Sequence, residues 1–304
     1  MPDPVPRPCG LAATDPAALG AAVTRAWDDF LAVVDSADLG RRSRLPGWTG
    51  RDTCVHLGSW DDHAVLQGLV AAARAGGGTA SGDADADNAR LVAAHRDATD
   101  EDVRHALQGS RDVIAQWFET SEPAELATAR VRSSVGELPL LSLLHAGCYE
   151  LAVHALDLGP CGADAPSVFL LDRGLAALMD VTGALSARSA IDITVTAQAP
   201  DGGWSFTSDA DGWNTRPVPA GRFEGVGVTA TVRDLLDASA GRAQLPALLV
   251  QRRLKVQELG SFMRLAPLLN DVPGLPGGAV LKAGVSGLGA VTGGLGRLVG
   301  RFRH

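Results

Sequence analysis

A long apolar segment ends in the sequence CYELAVHALDLG and sets strong limits on how this chain folds. Pro139 stands where it favours the start of a helix, and Gly159-Pro160 is typical of a helix end. A helix this apolar is expected to be buried. It nevertheless places Glu150, His154 and Asp157 on one side, because residues three and four apart are neighbours on a helix. This polar stripe is the first candidate for a functional site.

Helical spacing of apolar residues extends over the first half of the chain, up to about residue 160. One helix is predicted to open at Asp15-Pro16, and another where Thr49 and Asp52 form a capping pair. The second helix is predicted to continue through His56 and to stop near three consecutive glycines at 76–78. The other predicted helical segments are residues 87–95, 103–118 and 139–159. Together they predict a helical bundle.

The composition changes after residue 160, and the second half is predicted to be α+β with an antiparallel sheet. After a helix at 170–185, IDITVTAQ alternates like a half-buried strand, and WSFTSD completes a hairpin with it. Thr231 is expected to cap a further helix, and RRLKVQ is a short strand. The predicted divisions are residues 1–10 (loose N-terminus), 11–163 (bundle), 164–272 (α+β domain) and 273–304 (glycine-rich tail).

Charge and composition argue against several classes of protein. Among 304 residues, 35 acidic and 27 basic side chains give a net charge of −8, which does not suit a nucleic-acid-binding protein. Four cysteines without a CxxC pair do not suggest a disulfide framework and fit a reducing compartment. With no secretory signal and no apolar span, the sequence predicts a cytoplasmic protein without stable membrane insertion. The tail is interpreted as mobile, with a membrane-surface or partner-binding helix as the alternative.

Glu150 and His154 provide two of the ligands that a metal ion needs. Catalytic zinc usually has three protein ligands and one open position, so a third ligand is expected from a facing helix. His56 is the best candidate and His63 is the reserve; Asp157 could orient a ligating histidine. Two histidines and a carboxylate suit zinc, with iron(II) as the alternative. The competing interpretation is a solvated helix face with incidental histidines, and His95, His105 and His145 are interpreted as surface or packing residues.

Three separated motifs occur in the order of a known family. LPGWTGRDTCVHLGSWDDH resembles its tryptophan turn, helix start and histidine-leucine pair, DNARLVAAHRD lies between, and YELAVHALDLG resembles its Glu-x3-His-x2-Asp-Leu signature. The first half therefore resembles the mycothiol-dependent maleylpyruvate isomerase family, within the DinB-like metal-binding four-helix bundles. The second half, through VTATVRDLLDASAGR and RRLKVQ, is similar to a sterol-carrier-protein-like α+β domain.

The resemblance implies a divalent metal, usually zinc, bound by His56, Glu150 and His154, with mycothiol as the thiol cofactor. It also implies an arginine that binds the substrate carboxylate, which is assigned to Arg242. Gly147 departs from the family pattern, in which many relatives have an arginine three residues before the metal-binding glutamate.

Several functions remain open at this point. A metal-activated thiol could isomerise a small cis-alkene by addition, rotation and elimination, or it could remain attached to an electrophile in a transferase. The chain could instead be a non-catalytic carrier of a lipid or small molecule, or a structural or regulatory bundle. The expected partners are a small substrate and a low-molecular-weight thiol, and the expected state is a monomer or homodimer.

Overall fold

The computed structural model describes residues 9–60, 65–77, 84–133 and 135–270. Most of the predicted loose N-terminus, the reserve ligand His63 and the glycine-rich tail at 273–304 lie outside these ranges. The described chain forms a helical region followed by a region built on a five-stranded sheet. No helix in these ranges is long and apolar enough to cross a membrane.

Helix α1 (Pro16–Ser36) begins where the sequence predicts it. The Asp15 carboxylate caps its first turn by accepting a hydrogen bond from the backbone N–H of Ala17 at 3.1 Å. The side of the helix that includes Trp27 and Phe30 is buried in the core of the helical region. The periodic apolar pattern of this segment therefore becomes a packed helix face.

Helix α2 (Gly50–Val55) is much shorter than predicted. The sequence predicts a helix that continues through His56, but the chain leaves the helix there and His56 is its C-terminal cap residue. The Trp60 indole donates a hydrogen bond to the carbonyl of Val55 at 2.8 Å, and the N–H of Ser59 bonds to a carbonyl of another helix at 2.9 Å. These bonds replace those that would continue the helix.

The next elements of the helical region are four helices and a hairpin. They are α3 (Val65–Arg74), α4 (Ala84–Ala94), α5 (Asp100–Phe118), α6 (Glu122–Leu126), β1 (Arg130–Ser133) and β2 (Gly136–Pro139). Strands β1 and β2 pair antiparallel, and Gly136 supports the turn with a φ of 97°, which favours glycine. The prediction of an all-α first domain is therefore too strict, because this hairpin lies within it.

Helix α7 (Leu140–Asp157) contains the sequence CYELAVHALD with the polar stripe of Glu150, His154 and Asp157. It begins directly after Pro139 and ends just before Gly159, as predicted. It packs against α1 on one side and against α8 (Val168–Arg188) on another, so most of its circumference is buried. Polar side chains on such a helix need partners inside the protein.

A mixed sheet forms the centre of the second region. Its strands are β3 (Ile193–Ala199), β4 (Gly202–Ser208), β5 (Trp213–Val218), β6 (Gly227–Thr229) and β7 (Lys255–Gln257). The order across the sheet is β5-β4-β3-β6-β7, and every neighbouring pair is antiparallel except β3 and β6, which are parallel. The predicted β3–β4 hairpin is confirmed, whereas β5 is not predicted and the wholly antiparallel sheet is wrong.

Helix α9 (Val232–Ser239) follows β6 and carries the sheet region back to the helical region. Thr231 caps it as predicted, accepting a hydrogen bond from the N–H of Asp234 at 3.1 Å. The helix packs against both α7 and α8. Two short helices, α10 (Leu245–Val250) and α11 (Leu259–Phe262), complete the region.

Asp180 on α8 ties several elements together. Its side chain is 1% exposed, and Oδ1 accepts hydrogen bonds from Leu11 N–H, Trp213 Nε1 and the Thr215 hydroxyl at 2.7–2.9 Å. Oδ2 accepts from the hydroxyl of Ser142 at 3.1 Å. One buried carboxylate thus joins the N-terminal segment, α7 and β5 to α8.

The second region is α+β, while its sterol-carrier-like assignment and the boundaries at 163 and 272 stay predictions.

Candidate metal centre

Helix α2 brings His56 to the site. The Thr49 hydroxyl and the Asp52 carboxylate form a reciprocal capping box at the start of the helix, and Cys54 and Val55 anchor its end in the core. The His56 ring lies 5.6 Å from the ring of Trp48, between centroids, in an edge-to-face arrangement. The six-residue helix α2 therefore positions this histidine.

Helix α7 supplies the second half of the site. Glu150 and His154 face each other one turn apart, with 3.4 Å between Glu150 Oε2 and His154 Nε2. The His154 side chain is 7% exposed, and the Glu150 side chain is 45% exposed. The polar stripe is thus closed around the histidine and open to solvent at the glutamate.

The two halves meet. His56, Glu150 and His154 each offer a ligand atom, and these atoms all lie within 4.8 Å of one another. The two imidazole rings are 4.6 Å apart between centroids, at 83° to each other. Ligands about 2.1 Å from one tetrahedral zinc lie roughly 3.4 Å apart, so the Glu150–His154 pair already has this spacing. Small side-chain rotations would bring His56 to it, and the three residues fit a divalent cation.

His56 is neutral, as a metal ligand must be, whereas the hydrogen bonds of His154 hold its proton until a cation replaces it. Burial, together with the charge of His154, lowers the pKa of His56 to about 3, so its ring is neutral and can offer a lone pair. Nδ1 of His56 is buried and has no hydrogen-bond partner within the described part of the chain. Burial would lower the pKa of His154, but its hydrogen bonds to Asp157 and Glu150 raise it to about 8. A bound cation would therefore replace the proton on His154 Nε2, the ring nitrogen that faces Glu150.

Asp157 fixes the orientation of His154. Its Oδ2 lies 3.0 Å from His154 Nδ1, which leaves Nε2 to face Glu150 and His56. The Asp157 side chain is fully buried. The sequence analysis predicts this orienting role from the three-residue spacing, and the geometry supports it.

Arg242 lies beside the same carboxylate. Its Nε is 3.0 Å from Asp157 Oδ1 and its Nη2 is 2.9 Å from Asp157 Oδ2, while Nη1 donates to the carbonyl of Ala240 at 2.9 Å. The guanidinium is 11% exposed. Each of its nitrogens therefore already has a partner, although the resemblance assigns Arg242 to a substrate carboxylate.

Two further charged residues, Arg44 and Asp237, extend the ion-pair network of Asp157 and Arg242. No motif in the sequence predicts them. Arg44 Nη2 donates to Asp237 Oδ1 at 2.9 Å, and Arg44 Nε lies 3.9 Å from Asp157 Oδ1. Arg44 belongs to the turn before α2 and Asp237 to α9, so no local spacing connects them. Only the folded chain brings both arginines to the acids of α7 and α9.

Gly147 lies on α7 one turn before Glu150 and two turns before His154. A Cβ atom added there would have no atom within 4 Å in the part of the chain that the structure describes. The residue itself is half-buried. The place of the family arginine is therefore a space next to the cluster.

The remaining described histidines lie outside the cluster. His95 stacks on Trp60 with 4.0 Å between ring centroids, and His105 is exposed on α5. His145 is fully buried on α7, where burial and the charge of Arg173 lower its pKa to about 3. None of them is among the three residues whose ligand atoms converge.

Comparison with known proteins connects this geometry to a family. Residues 21–159 match the mycothiol maleylpyruvate isomerase N-terminal domain, a range that includes His56, Glu150 and His154. No curated protein sequence matches the chain. A crystal structure of the mycothiol-dependent maleylpyruvate isomerase is 19% identical, with a TM-score of 0.50 over 77% of this chain and 92% of that chain. A histidine-to-alanine mutant of such an isomerase is 22% identical, with a TM-score of 0.46 over 75% of this chain and 88% of that chain.

The structural likeness to the isomerase reaches beyond the helical region, since 77% of the chain is a larger share than residues 21–159 provide. At 19% identity it shows a common fold. The sequence match covers the part of the chain that carries the predicted ligands. The helical region of this chain belongs to the mycothiol maleylpyruvate isomerase N-terminal domain family.

Proposed function

We propose that this chain is a metal-dependent enzyme that uses a low-molecular-weight thiol, mycothiol, on a small electrophilic substrate. The reaction proposed is a cis–trans isomerisation like that of maleylpyruvate isomerase. The observation that carries the proposal is the convergence of ligand atoms from His56, Glu150 and His154 within 4.8 Å, inside a domain of this family. These three residues would hold the cation, and zinc suits two imidazoles and one carboxylate.

When bound, a divalent cation lowers the pKa of a coordinating thiol, so that the nucleophilic thiolate is present at neutral pH. The protein contributes three ligands and leaves a fourth position open, as catalytic zinc sites do. With the cation bound, the hydrogen bond from His154 Nδ1 to Asp157 would hold the tautomer in which Nδ1 carries the proton and Nε2 faces the metal. Arg242 in turn holds Asp157 in place with two parallel hydrogen bonds.

The partial exposure of Glu150 gives the site its opening. Its side chain is 45% exposed, whereas those of His154 and Asp157 are 7% and 0% exposed. A thiol and a substrate would therefore approach from the Glu150 end of the cluster. The buried end is occupied by the Asp157–Arg242 pair and excludes water from the hydrogen bond to His154.

A second candidate is a mycothiol S-transferase that acts on an electrophile without a carboxylate. The engagement of Arg242 favours it, because all three guanidinium nitrogens of Arg242 are bonded to Asp157 or Ala240. A dicarboxylate substrate could use only the two N–H groups that these bonds leave, one on Nη1 and one on Nη2, because the Nε–Nη2 edge is paired with Asp157. A neutral electrophile would leave the pair intact.

Elemental analysis of the purified protein tests the proposal first. About one zinc per chain is expected in the unmodified protein, with loss of the metal in His56→Ala, Glu150→Ala and His154→Ala. His105→Ala is the matched control, since it removes an exposed histidine outside the cluster and should keep the metal. A protein without metal that gains no thermal stability from added zinc would overturn the proposal and favour a non-catalytic binding protein.

Incubation of the zinc-loaded protein with mycothiol and candidate electrophiles separates the two reactions. An isomerase converts a cis-alkene to its trans form and leaves the thiol concentration unchanged, which proton NMR detects. A transferase consumes one thiol per substrate and produces an adduct of the summed mass, or of that mass less a leaving group. If neither the trans-alkene nor the thiol adduct forms although the metal is bound, both proposed reactions are rejected.

A further inference from the structure

Gly147 is a glycine that packing does not explain. A glycine inside a helix is about 1 kcal/mol less favourable than alanine, so it needs a reason. Gly174 on α8 has one, because a Cβ there would lie 2.5 Å from the Cβ of Ala152 on α7. At Gly147, no atom of the described residues lies within 4 Å of the Cβ position. An alanine would fit, and the absence of a side chain leaves space.

The space lies on the side of α7 that carries the cluster. Residues 147 and 154 are seven apart, and residues 147 and 150 are three apart, so all three positions share one face. Helical side chains also lean toward the N-terminus of the helix. The side chain of His154 therefore extends back toward Glu150 and Gly147, in agreement with the 3.4 Å between His154 Nε2 and Glu150 Oε2.

The solvent exposure of the side chains on this face of α7 increases toward Gly147. The exposed fraction of the side chain rises from 0% at Asp157 to 7% at His154 and 45% at Glu150. Gly147 is one turn farther along this gradient and has only its backbone. It lies at the opening of the cluster, where a ligand held by the three residues would extend out of the site.

We propose that Gly147 determines the size of the thiol that the site accepts. The space above Gly147 takes the body of a thiol larger than cysteine, while the sulfur lies at the His56–Glu150–His154 cluster. A larger side chain at 147 would fill this space. Gly147 is then a specificity-determining residue, and this inference rests on the proposed function.

Thiol binding to the cobalt-substituted protein tests the inference, because sulfur coordination gives a charge-transfer absorption that needs no turnover. The probes are N-acetylcysteine, a small thiol, and mycothiol, a larger one. In Gly147→Leu, the metal content should be unchanged, the Kd of N-acetylcysteine should stay within about twofold, and the Kd of mycothiol should rise at least about tenfold, because the leucine would occupy the space that the larger thiol needs. Gly147→Ala should raise the melting temperature, because its methyl group meets open space.

Gly68→Leu is the matched control. Gly68 is also a helical glycine whose Cβ would meet no atom within 4 Å, and it lies on α3, away from the ligands. This variant should bind both thiols like the unmodified protein. Equal weakening of both thiols in Gly147→Leu, or no weakening of mycothiol, would overturn the inference while the proposed function stands. Absence of thiol binding to the unmodified cobalt protein would overturn both.

Discussion

Arg242 and Asp157 form a bidentate ion pair across the two regions of the chain, with N–O distances of 3.0 and 2.9 Å. Asp157 ends the helix that carries the predicted ligands, and Arg242 follows α9 in the sheet-containing region. Because Asp157 also bonds to His154, the orientation of a predicted ligand depends on a residue that the helical region does not contain.

Removal of this arginine should destabilise the fold. Arg242→Ala leaves the fully buried carboxylate of Asp157 without its main cation and should lower the free energy of unfolding by about 3 kcal/mol. Urea unfolding measures the change. Arg233→Ala is the control. The Arg233 side chain is 60% exposed, and its Nε lies 3.8 Å from Asp237 Oδ2. This exposed pair should contribute less than about 1 kcal/mol to the free energy of unfolding. Equal effects of the two substitutions would contradict the importance of the buried pair.

The carboxylate that orients His154 should tune metal affinity. Asp157→Asn keeps the size of the side chain but weakens its hold on His154 Nδ1, so the zinc affinity should fall about 10–100-fold. Competition with a chromophoric chelator measures the affinity. Asp237→Asn is the control, because Asp237 bonds to Arg44 and makes no contact with His154 among the described hydrogen bonds. An unchanged affinity in Asp157→Asn would remove Asp157 from the site.

The cap of α2 should matter for the metal as well as for stability. Thr49→Ala removes the cap of the six-residue helix that ends at His56, and Thr99→Ala removes an equivalent capping box from α5. Each should lower the free energy of unfolding by about 1 kcal/mol. Only Thr49→Ala should also weaken zinc binding, because His56 depends on this short helix. Equal zinc affinities in the two variants would show that His56 is held by other contacts.

Asp180 should make stability depend on pH. Burial raises the pKa of Asp180 despite its four hydrogen bonds, whereas an unfolded Asp has a pKa of about 3.9. A carboxyl group with a raised pKa stabilises the fold fully below about pH 4, and this contribution is lost as the pH rises through the folded pKa. Asp180→Asn cannot ionise, so its unfolding free energy should increase relative to that of the unmodified protein as the pH rises above about 4.

Urea unfolding at several pH values checks this prediction. Asp180→Ala is the comparison: it removes the acceptors of four hydrogen bonds and should lose about 3 kcal/mol or more at every pH. A difference between Asp180→Asn and the unmodified protein that does not change with pH would mean that Asp180 does not titrate differently on folding.

The sequence predicts those elements whose signals are local. Pro139 and Gly159-Pro160 locate both ends of α7, and the Thr49 and Thr231 caps locate the starts of α2 and α9. The four-residue spacing of Glu150 and His154 likewise predicts that they face each other, as they do at 3.4 Å. Each of these features depends on a few neighbouring residues, which a single sequence contains in full.

Contacts between distant residues account for what the sequence does not predict. The early end of α2 depends on the Ser59 N–H, which bonds to a carbonyl of the distant helix α5, in addition to the nearby Trp60 indole. The engagement of Arg242 depends on the docking of α9 against α7. The carboxylate of Asp157 and the carbonyl of Ala240 use three of the five N–H groups of this arginine, which the family resemblance alone does not reveal.

The hydrophobic core does not end where the family match ends. The match stops at residue 159, but the core cluster that contains Val55 and Leu151 also includes Leu170 of α8 and Leu236 of α9. A fragment that ends at residue 159 would expose the apolar surface that packs against α8 and α9, and it would also lack Arg242. Recombination that joins this helical region to a different second region must therefore supply both a matching apolar face and a cation for Asp157. The two halves of the chain are constrained to evolve as a single unit.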